Sequence, residues 1–395
     1  MARSRFSRFI RFLGKALIVI LALGMLGSLF PQISVLGELG PILTAQLGPW
    51  LAVIALAGAV IMLRRWRADR RRSALVLCGM AAFAGVVAVF ILSQQAATAR
   101  ANGARVDIAQ MFLASSQEAP DPLPVTVNYT KFGTEDLPLD IYRPAARADG
   151  RGAPVFVYVH GGGWGGQTLK QREADYRWFV DRGYLVVSLE YTLSSKTRHT
   201  WNVAEPQLAC ALGWINANIA RYGGDPARLA LWGESAGGNL VLNLSYRANG
   251  GTLQSVCGGT MPHVAATIAL YPVVDPARMY RPDEALLGFA GRMMGDNYTG
   301  GSPEQFPDRY AAIASATHIN PKAPPTLLVI PAADHLVAPA VAYSFDEKAR
   351  AAGIETRVIT MPHAEHAFDL RSGSVGSQMV RQVMLQFLEA HELKP

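Results

Sequence analysis

In the stretch LALWGESAGGNLV, residues 229–241, a β-forming run ends in Gly-Glu-Ser-Ala-Gly-Gly and a helix-like pattern begins. Ser235 stands in a GxSxG arrangement between Gly233 and Gly237, the spacing of a cramped strand-to-helix turn that holds a serine hydroxyl outward. A hydroxyl is a weak nucleophile, so it needs a base, and the base needs an orienting acid. Asp334 in VIPAADHLV is the candidate acid and His366 in MPHAEHAFD the candidate base. The order Ser, Asp, His suits residues carried on successive strand-end loops of an α/β sheet. Two histidines compete with His366: His335, beside Asp334 and too early in that order, and His363, three residues upstream.

A second motif, His160-Gly161-Gly162-Gly163-Trp164, follows another β-forming run. Its flexible backbone offers N–H groups able to surround the oxyanion of a tetrahedral intermediate, with the N–H of Ala236 as a further donor. The helix beginning at Ala236 would aim its positive end at the same place. His160 reads as a residue that fixes the loop rather than as a base, and Gly163, Trp164 and Glu234 support the two motifs. A glycine loop can also cradle phosphate, but the Lys-Ser/Thr of a P-loop is missing. Cys78, Cys210 and Cys257 form no CxxC or Cys/His cluster with zinc spacing. Neither a metal nor a cofactor is expected.

The elements that must position these groups alternate from Val125 onward. Strands are expected at VTVNYTKF, PLDIYRP, PVFVYVH, YLVVSLEYT, LALWG, ATIALYPVV, TLLVIPA and TRVITM. Helices are expected at Leu169–Arg182, Glu205–Tyr222, Ala236–Ala248, Val337–Ala352 and Val375–Glu392. The later strands are apolar on both faces, as parallel strands covered by helices must be. The predicted fold is therefore α/β: a mainly parallel eight-stranded sheet with helices on both faces, its site at the carboxyl ends of the strands. Residues 275–325 interrupt the alternation and read either as a small cap over the site or as a connecting segment with two short helices.

The first quarter has a different chemistry. Ala16–Gly37, Leu39–Leu63 and Ser73–Ala99 carry no charge, and each contains an apolar run near the ~20 residues that cross a bilayer core. Arg3, Arg5, Arg8, Arg11 and Lys15 precede the first, and the run RRWRADRRR separates the second from the third. Positive charge resists translocation, so both clusters should stay in the cytoplasm, leaving the N-terminus inside and the chain beyond Ala99 outside. The alternative, a first run that is a cleaved signal peptide, leaves the later domain outside as well. The predicted layout is an anchor of three transmembrane helices over 1–99, a linker over 100–121 in which VDIAQMFL forms a short helix packing on the domain, and a catalytic domain over 122–395. The net charge of +7 belongs to the anchor: residues 1–72 balance to +9 and the remainder to −2. That distribution argues against a nucleic-acid partner and leaves the bilayer and a small-molecule or lipid ester as partners, with oligomeric state open. For Cys210 and Cys257, a disulfide in an oxidising compartment and two separate buried thiols both remain open.

On HGGGW at 160–164, RYGGDPARLALWGESAGG at 221–238, Asp334-His-Leu-Val and His366-Ala-Phe, the region from Val125 to Leu393 resembles the α/β-hydrolase superfamily. It is most similar to the carboxylesterase branch of hormone-sensitive-lipase-like and feruloyl/acetyl-xylan esterases. The resemblance implies a Ser235/His366/Asp334 triad, an oxyanion hole from Gly161, Gly162 and Ala236, and serine carboxylesterase or lipase activity through an acyl-enzyme. The same triad serves amidases and acyltransferases, and a non-catalytic binding protein on this scaffold is a further alternative. Glu234 stands where the hormone-sensitive-lipase-like branch commonly has Asp, which leaves subfamily and substrate open. The three apolar runs are not part of the family's core pattern. They lack intramembrane acids or bases, so a conduction path has no support.

Overall fold

The computed structural model describes residues 2–113, 123–145, 150–280 and 286–395. The chain forms two compact units. One comprises residues 1–114, 331–334 and 361–379, the other residues 115–330, 335–360 and 380–395.

The first unit is built on α1 (Ala2–Leu29), α2 (Leu36–Asp69) and α3 (Arg72–Ala101), followed by the short α4 (Ile108–Leu113). Each of the three long helices contains a segment long and apolar enough to cross a membrane. The bundle is packed by small residues. A Cβ on Gly27 would sit 1.9 Å from the Leu36 carbonyl oxygen, and one on Gly40 would sit 2.4 Å from that of Gly24. Such close backbone approach is how helices associate where no hydrophobic force separates protein from lipid. Ala55, Ala81, Ala84, Ala88 and Ile91 are buried inside, while Val60, Val76 and Val86 point outward. Two boundaries differ from the sequence reading. The first apolar run breaks at Phe30, and its last residues, Leu36 and Gly37, open α2. The second helix extends beyond its apolar run into the arginine-rich stretch: α2 runs to Asp69, Arg70 takes a left-handed conformation, and α3 starts at Arg72. The helix expected within VDIAQMFL exists as α4, and Phe112 meets Trp50 of α2 edge-on at 5.1 Å. Part of the predicted linker and of the 275–325 segment, residues 114–122 and 281–285, lies outside the described residues.

The second unit holds the sheet. Its elements run β1 (Val125–Phe132), β2 (Glu135–Tyr142), β3 (Ala153–Val159), α5 (Glu173–Val180), β4 (Leu185–Leu189), α6 (Ala204–Asn218), β5 (Gly224–Glu234), α7 (Ala236–Gly250) and β6 (Ala266–Leu270). They continue as α8 (Pro276–Met279), α9 (Leu287–Thr299), α10 (Pro307–Ile313), β7 (Thr326–Pro331), α11 (Pro339–Ala351), β8 (Thr356–Met361) and α12 (Val375–Ala390), with Pro331, Met361 and residues 375–379 of the last falling in the first unit. The sheet order is β1-β2-β4-β3-β5-β6-β7-β8. β1 and β2 form the expected hairpin, β2 pairs antiparallel with β4, and β3, β4, β5, β6 and β7 pair in parallel. Every residue of β3, β4, β6 and β7 is buried, which is why these strands read as continuous apolar runs rather than as alternating ones. Cys210 of α6 and Cys257 are joined by a disulfide, with Cα atoms 5.4 Å apart.

Candidate active site

Ser235 is the single residue between β5 and α7, at φ 54°, ψ −120°. A non-glycine residue there is strained and is held only because its surroundings over-determine it. Ser235 N–H donates to the Leu270 carbonyl of β6 at 2.9 Å, and the Ser235 carbonyl accepts from Asn239 and Val273 at 3.1 and 3.2 Å. The turn closes only because its flanks lack side chains. A Cβ on Gly237 would lie 2.1 Å from the Val159 oxygen, and one on Gly233 would lie 2.4 Å from the Gly237 oxygen.

The glycine loop lies against this turn. A Cβ on Gly161 would come within 2.8 Å of the Glu234 oxygen and 3.2 Å of Ser235 Cβ, so only glycine brings the loop backbone this close. Gly162, Gly163 and Trp164 all have positive φ, at 86°, 59° and 59°. Ala236, fully buried, opens α7 directly after the serine. His160 is fully buried, with Nε2 2.9 Å from Glu190 Oε1 and Nδ1 3.1 Å from the Gly161 oxygen. Its ring stacks on Tyr191 at 4.4 Å, and the Tyr191 hydroxyl donates to the His160 and Gly161 carbonyls. Sequence reading missed Glu190 and Tyr191, because nothing in EYT marks them as partners of a loop thirty residues upstream. α9 packs onto the loop from the 275–325 segment: Trp164 stacks flat on Tyr298 at 4.3 Å, and a Cβ on Gly163 would meet Met294 Sδ at 2.5 Å.

Glu234, the second residue of the motif, is buried and faces away from water. Arg172 binds its carboxylate through Nε and Nη2, and Tyr158 donates to Oε1 at 3.0 Å. Arg172 also reaches Tyr271 at 2.7 Å and Asp175 at 3.2 Å. Burial, then the Glu234 charge, push the Tyr158 phenol well above its ordinary range, so it stays a donor. A buried carboxylate persists only when paired in this way.

Asp334 and His366 belong to the first unit, whereas Ser235 and the glycine loop belong to the second. Asp334 lies three residues past β7, and His366 five residues past β8. Within their unit they meet: His366 Nδ1 is 2.8 Å from Asp334 Oδ2, with the carboxylate almost wholly buried. The two loops are clamped by Ala332 N–H to Met361 O at 2.9 Å and Ala333 N–H to Ala364 O at 2.8 Å. A carboxylate on Nδ1 sets the tautomer that leaves Nε2 able to accept a proton. Of the rivals, His363 turns to the helical bundle, with Nδ1 3.3 Å from the Ser28 oxygen. Among the described residues no group of His, Cys, Asp and Glu is arranged to hold a metal.

Residues 139–349 match the model of the BD-FAE family, more than half of the chain. The chain belongs to the BD-FAE family. The matched stretch includes the glycine loop, Ser235 and Asp334 and stops short of His366. Like other α/β-hydrolase folds, this family member aligns with an esterase from Thermogutta terrifontis solved with propionate bound, at 22% identity and a TM-score of 0.58, over 69% of this chain and 96% of that one. Among curated relatives, Esterase LipQ of Mycobacterium tuberculosis is 31% identical over 266 residues, 66% of this chain and 61% of that protein. Carboxylesterase NlhH of the same species is 35% identical over 142 residues, 34% of this chain and 43% of that protein. The match spans about 60% of the length of the first curated relatives, 61% and 59%.

Proposed function

We propose that this protein is a membrane-anchored serine hydrolase of carboxylic esters, working through an acyl-enzyme. The observation that carries the reading is Ser235 at its strained strand-to-helix turn with the glycine loop against it. The Asp334–His366 pair and the esterase names of the relatives support it.

In the proposed reaction, His366 Nε2 takes the Ser235 proton as Oγ attacks the ester carbonyl. Backbone N–H groups of Gly161, Gly162 and Ala236 hold the oxyanion, where losing one donor typically costs about 3 kcal/mol of transition-state stabilisation. The tetrahedral intermediate collapses, and the alcohol leaves with the proton from His366. Water, deprotonated by the same ring, then attacks the acyl-serine and releases the acid. Asp334 orients the ring and offsets the imidazolium charge. α9 and its neighbours form one wall of the substrate site, the role a cap would have.

The anchor reading rests on the three apolar helices and the two arginine clusters. The Cys210–Cys257 disulfide supports an external catalytic domain independently, since structural disulfides persist in oxidising compartments.

The test is labelling by a fluorophosphonate together with turnover of p-nitrophenyl butyrate. The wild type should be labelled and active, and Ser235→Ala should be neither. Activity should decline in acid as the His366 ring takes up a proton. Wild-type turnover by purified Ser235→Ala protein would refute the assignment.

A further inference from the structure

The segment carrying His366 is seated on one end of the helical bundle, and all three long helices contribute. Gln46 Nε2 of α2 donates to the Ala367 carbonyl at 3.2 Å, and Gln95 Nε2 of α3 to the Pro362 carbonyl at 3.2 Å. His363 Nδ1 lies 3.3 Å from the Ser28 carbonyl oxygen near the end of α1, and its ring meets Phe90 of α3 edge-on at 5.9 Å.

The depth of this end follows from helix geometry. At about 1.5 Å per residue, a hydrocarbon core of about 30 Å is crossed in about 20 residues. Counted from Arg64 in α2 and Arg72 in α3, that distance ends near Thr44 and Leu92. Gln46 and Gln95 therefore lie near the far boundary of the apolar core, opposite the arginines, and Ser28 lies level with Thr44, their hydroxyls 2.8 Å apart. In the proposed topology this is the outer boundary, and the acid–histidine pair works at it.

α4 extends this lipid-facing surface. Its Phe112 rests on Trp50, which the same count puts about 9 Å inside the boundary. Ile108 and Leu113 are 68% and 81% exposed, apolar side chains that water disfavours and the acyl region of a leaflet accepts. α4 is also tied to the stretch that follows His366. Asp107 N–H donates to Gln378 Oε1 at 2.7 Å, Gln378 Nε2 donates to the Asp107 carbonyl at 3.0 Å, and Arg371 Nη1 donates to the Met111 carbonyl at 2.9 Å. The sheet unit has a second exposed apolar stripe, Leu286, Phe289 and Met293, beside and along α9, the helix that packs on the glycine loop.

We propose that the substrate is an acyl ester of a bilayer lipid, presented to His366 from the outer leaflet along α4. The proposal rests on the hydrolase and topology readings above and goes beyond them by naming the substrate class and the surface that delivers it. The products are a fatty acid and the deacylated lipid alcohol, with water as the only co-reactant.

The full chain is reconstituted in phosphatidylcholine nanodiscs holding a fluorogenic acylglycerol, and p-nitrophenyl butyrate in solution is assayed in parallel. Wild type should hydrolyse both. Ile108→Asp/Leu113→Asp, changed only at exposed positions, should lose about tenfold or more on the embedded ester and less than about twofold on the soluble one. An equal loss on both esters would make α4 merely structural and overturn the proposal, as would no loss on either. A wild type that is labelled by fluorophosphonate and cleaves only the soluble ester would refute the lipid substrate and leave the hydrolase reading standing. A wild type neither labelled nor active on either ester would sink both.

Discussion

At the scale of single residues, the site is a set of charges and strained backbones that tolerate little change. Asp334 is recognisable in the sequence by its place after a strand, and it lies 2.8 Å from His366 Nδ1, so that in the proposed reaction its task is to fix the ring. Asp334→Asn would present the wrong tautomer, and kcat for p-nitrophenyl butyrate should fall by about 10⁴ with labelling of Ser235 slowed in parallel. Arg172, by contrast, had no signal in the sequence. It neutralises Glu234 inside the sheet unit. Arg172→Ala would strand a buried carboxylate, and thermal or denaturant unfolding should show a loss of about 3–5 kcal/mol. Arg172→Ala combined with Glu234→Gln should recover part of that loss, because residue 234 then carries no charge and Asp175 keeps Arg381 as its partner.

At the scale of elements, β5, its turn and α7 hold the serine, while glycines set how near the next layer comes. Gly161 is the sharpest case, since a methyl group there meets both the Glu234 oxygen and Ser235 Cβ. Gly161→Ala should leave the sheet folded and cut kcat by about 10²-fold or more, read as slower fluorophosphonate labelling with circular dichroism unchanged. The histidine segment depends on different elements. Gln46 and Gln95 clamp the carbonyls on either side of His366, and in the proposed reaction they would act as positioning residues. Gln46→Met/Gln95→Met keeps their bulk but removes both donors. The expected outcome is a fall of about tenfold in kcat for the soluble ester with KM unchanged, because orientation of the base rather than substrate binding is lost.

At the scale of the whole molecule, the chain joins a unit that is inside-out, with small residues within and branched apolar ones outward, to a unit with a conventional buried sheet. Cys210–Cys257 closes a stretch with a sequence separation of 47 in the second. Opening a loop of that length should cost about 4 kcal/mol on the chain-entropy model. Cys257→Ser protein should therefore unfold earlier than wild type, and reductant should lower the wild type to meet it. In intact cells, a thiol-reactive reagent that cannot cross the membrane should label Cys210 of that variant once the domain is denatured outside the cell. Protection under those conditions would place the domain in the cytoplasm and refute the topology.

Sequence alone determined the features that are local or periodic. Apolar runs of bilayer length, strands buried on both faces and a GxSxG turn are written in neighbouring residues, since their causes are neighbouring dihedrals and side chains. The glycine loop is legible for the same reason. Tertiary structure decided the pairings between residues remote in the chain: His366 rather than His363 on Asp334, Arg172 on Glu234, Glu190 on His160, and the disulfide over free thiols. It also gave α4 a contact with Trp50 besides the expected ones to the later domain at Arg371 and Gln378, and seated the His366 segment on the ends of three helices. The contacts under the His366 segment join residues hundreds of positions apart and use ordinary glutamines and carbonyls, whose partners are chosen by packing and carry no signature in the sequence.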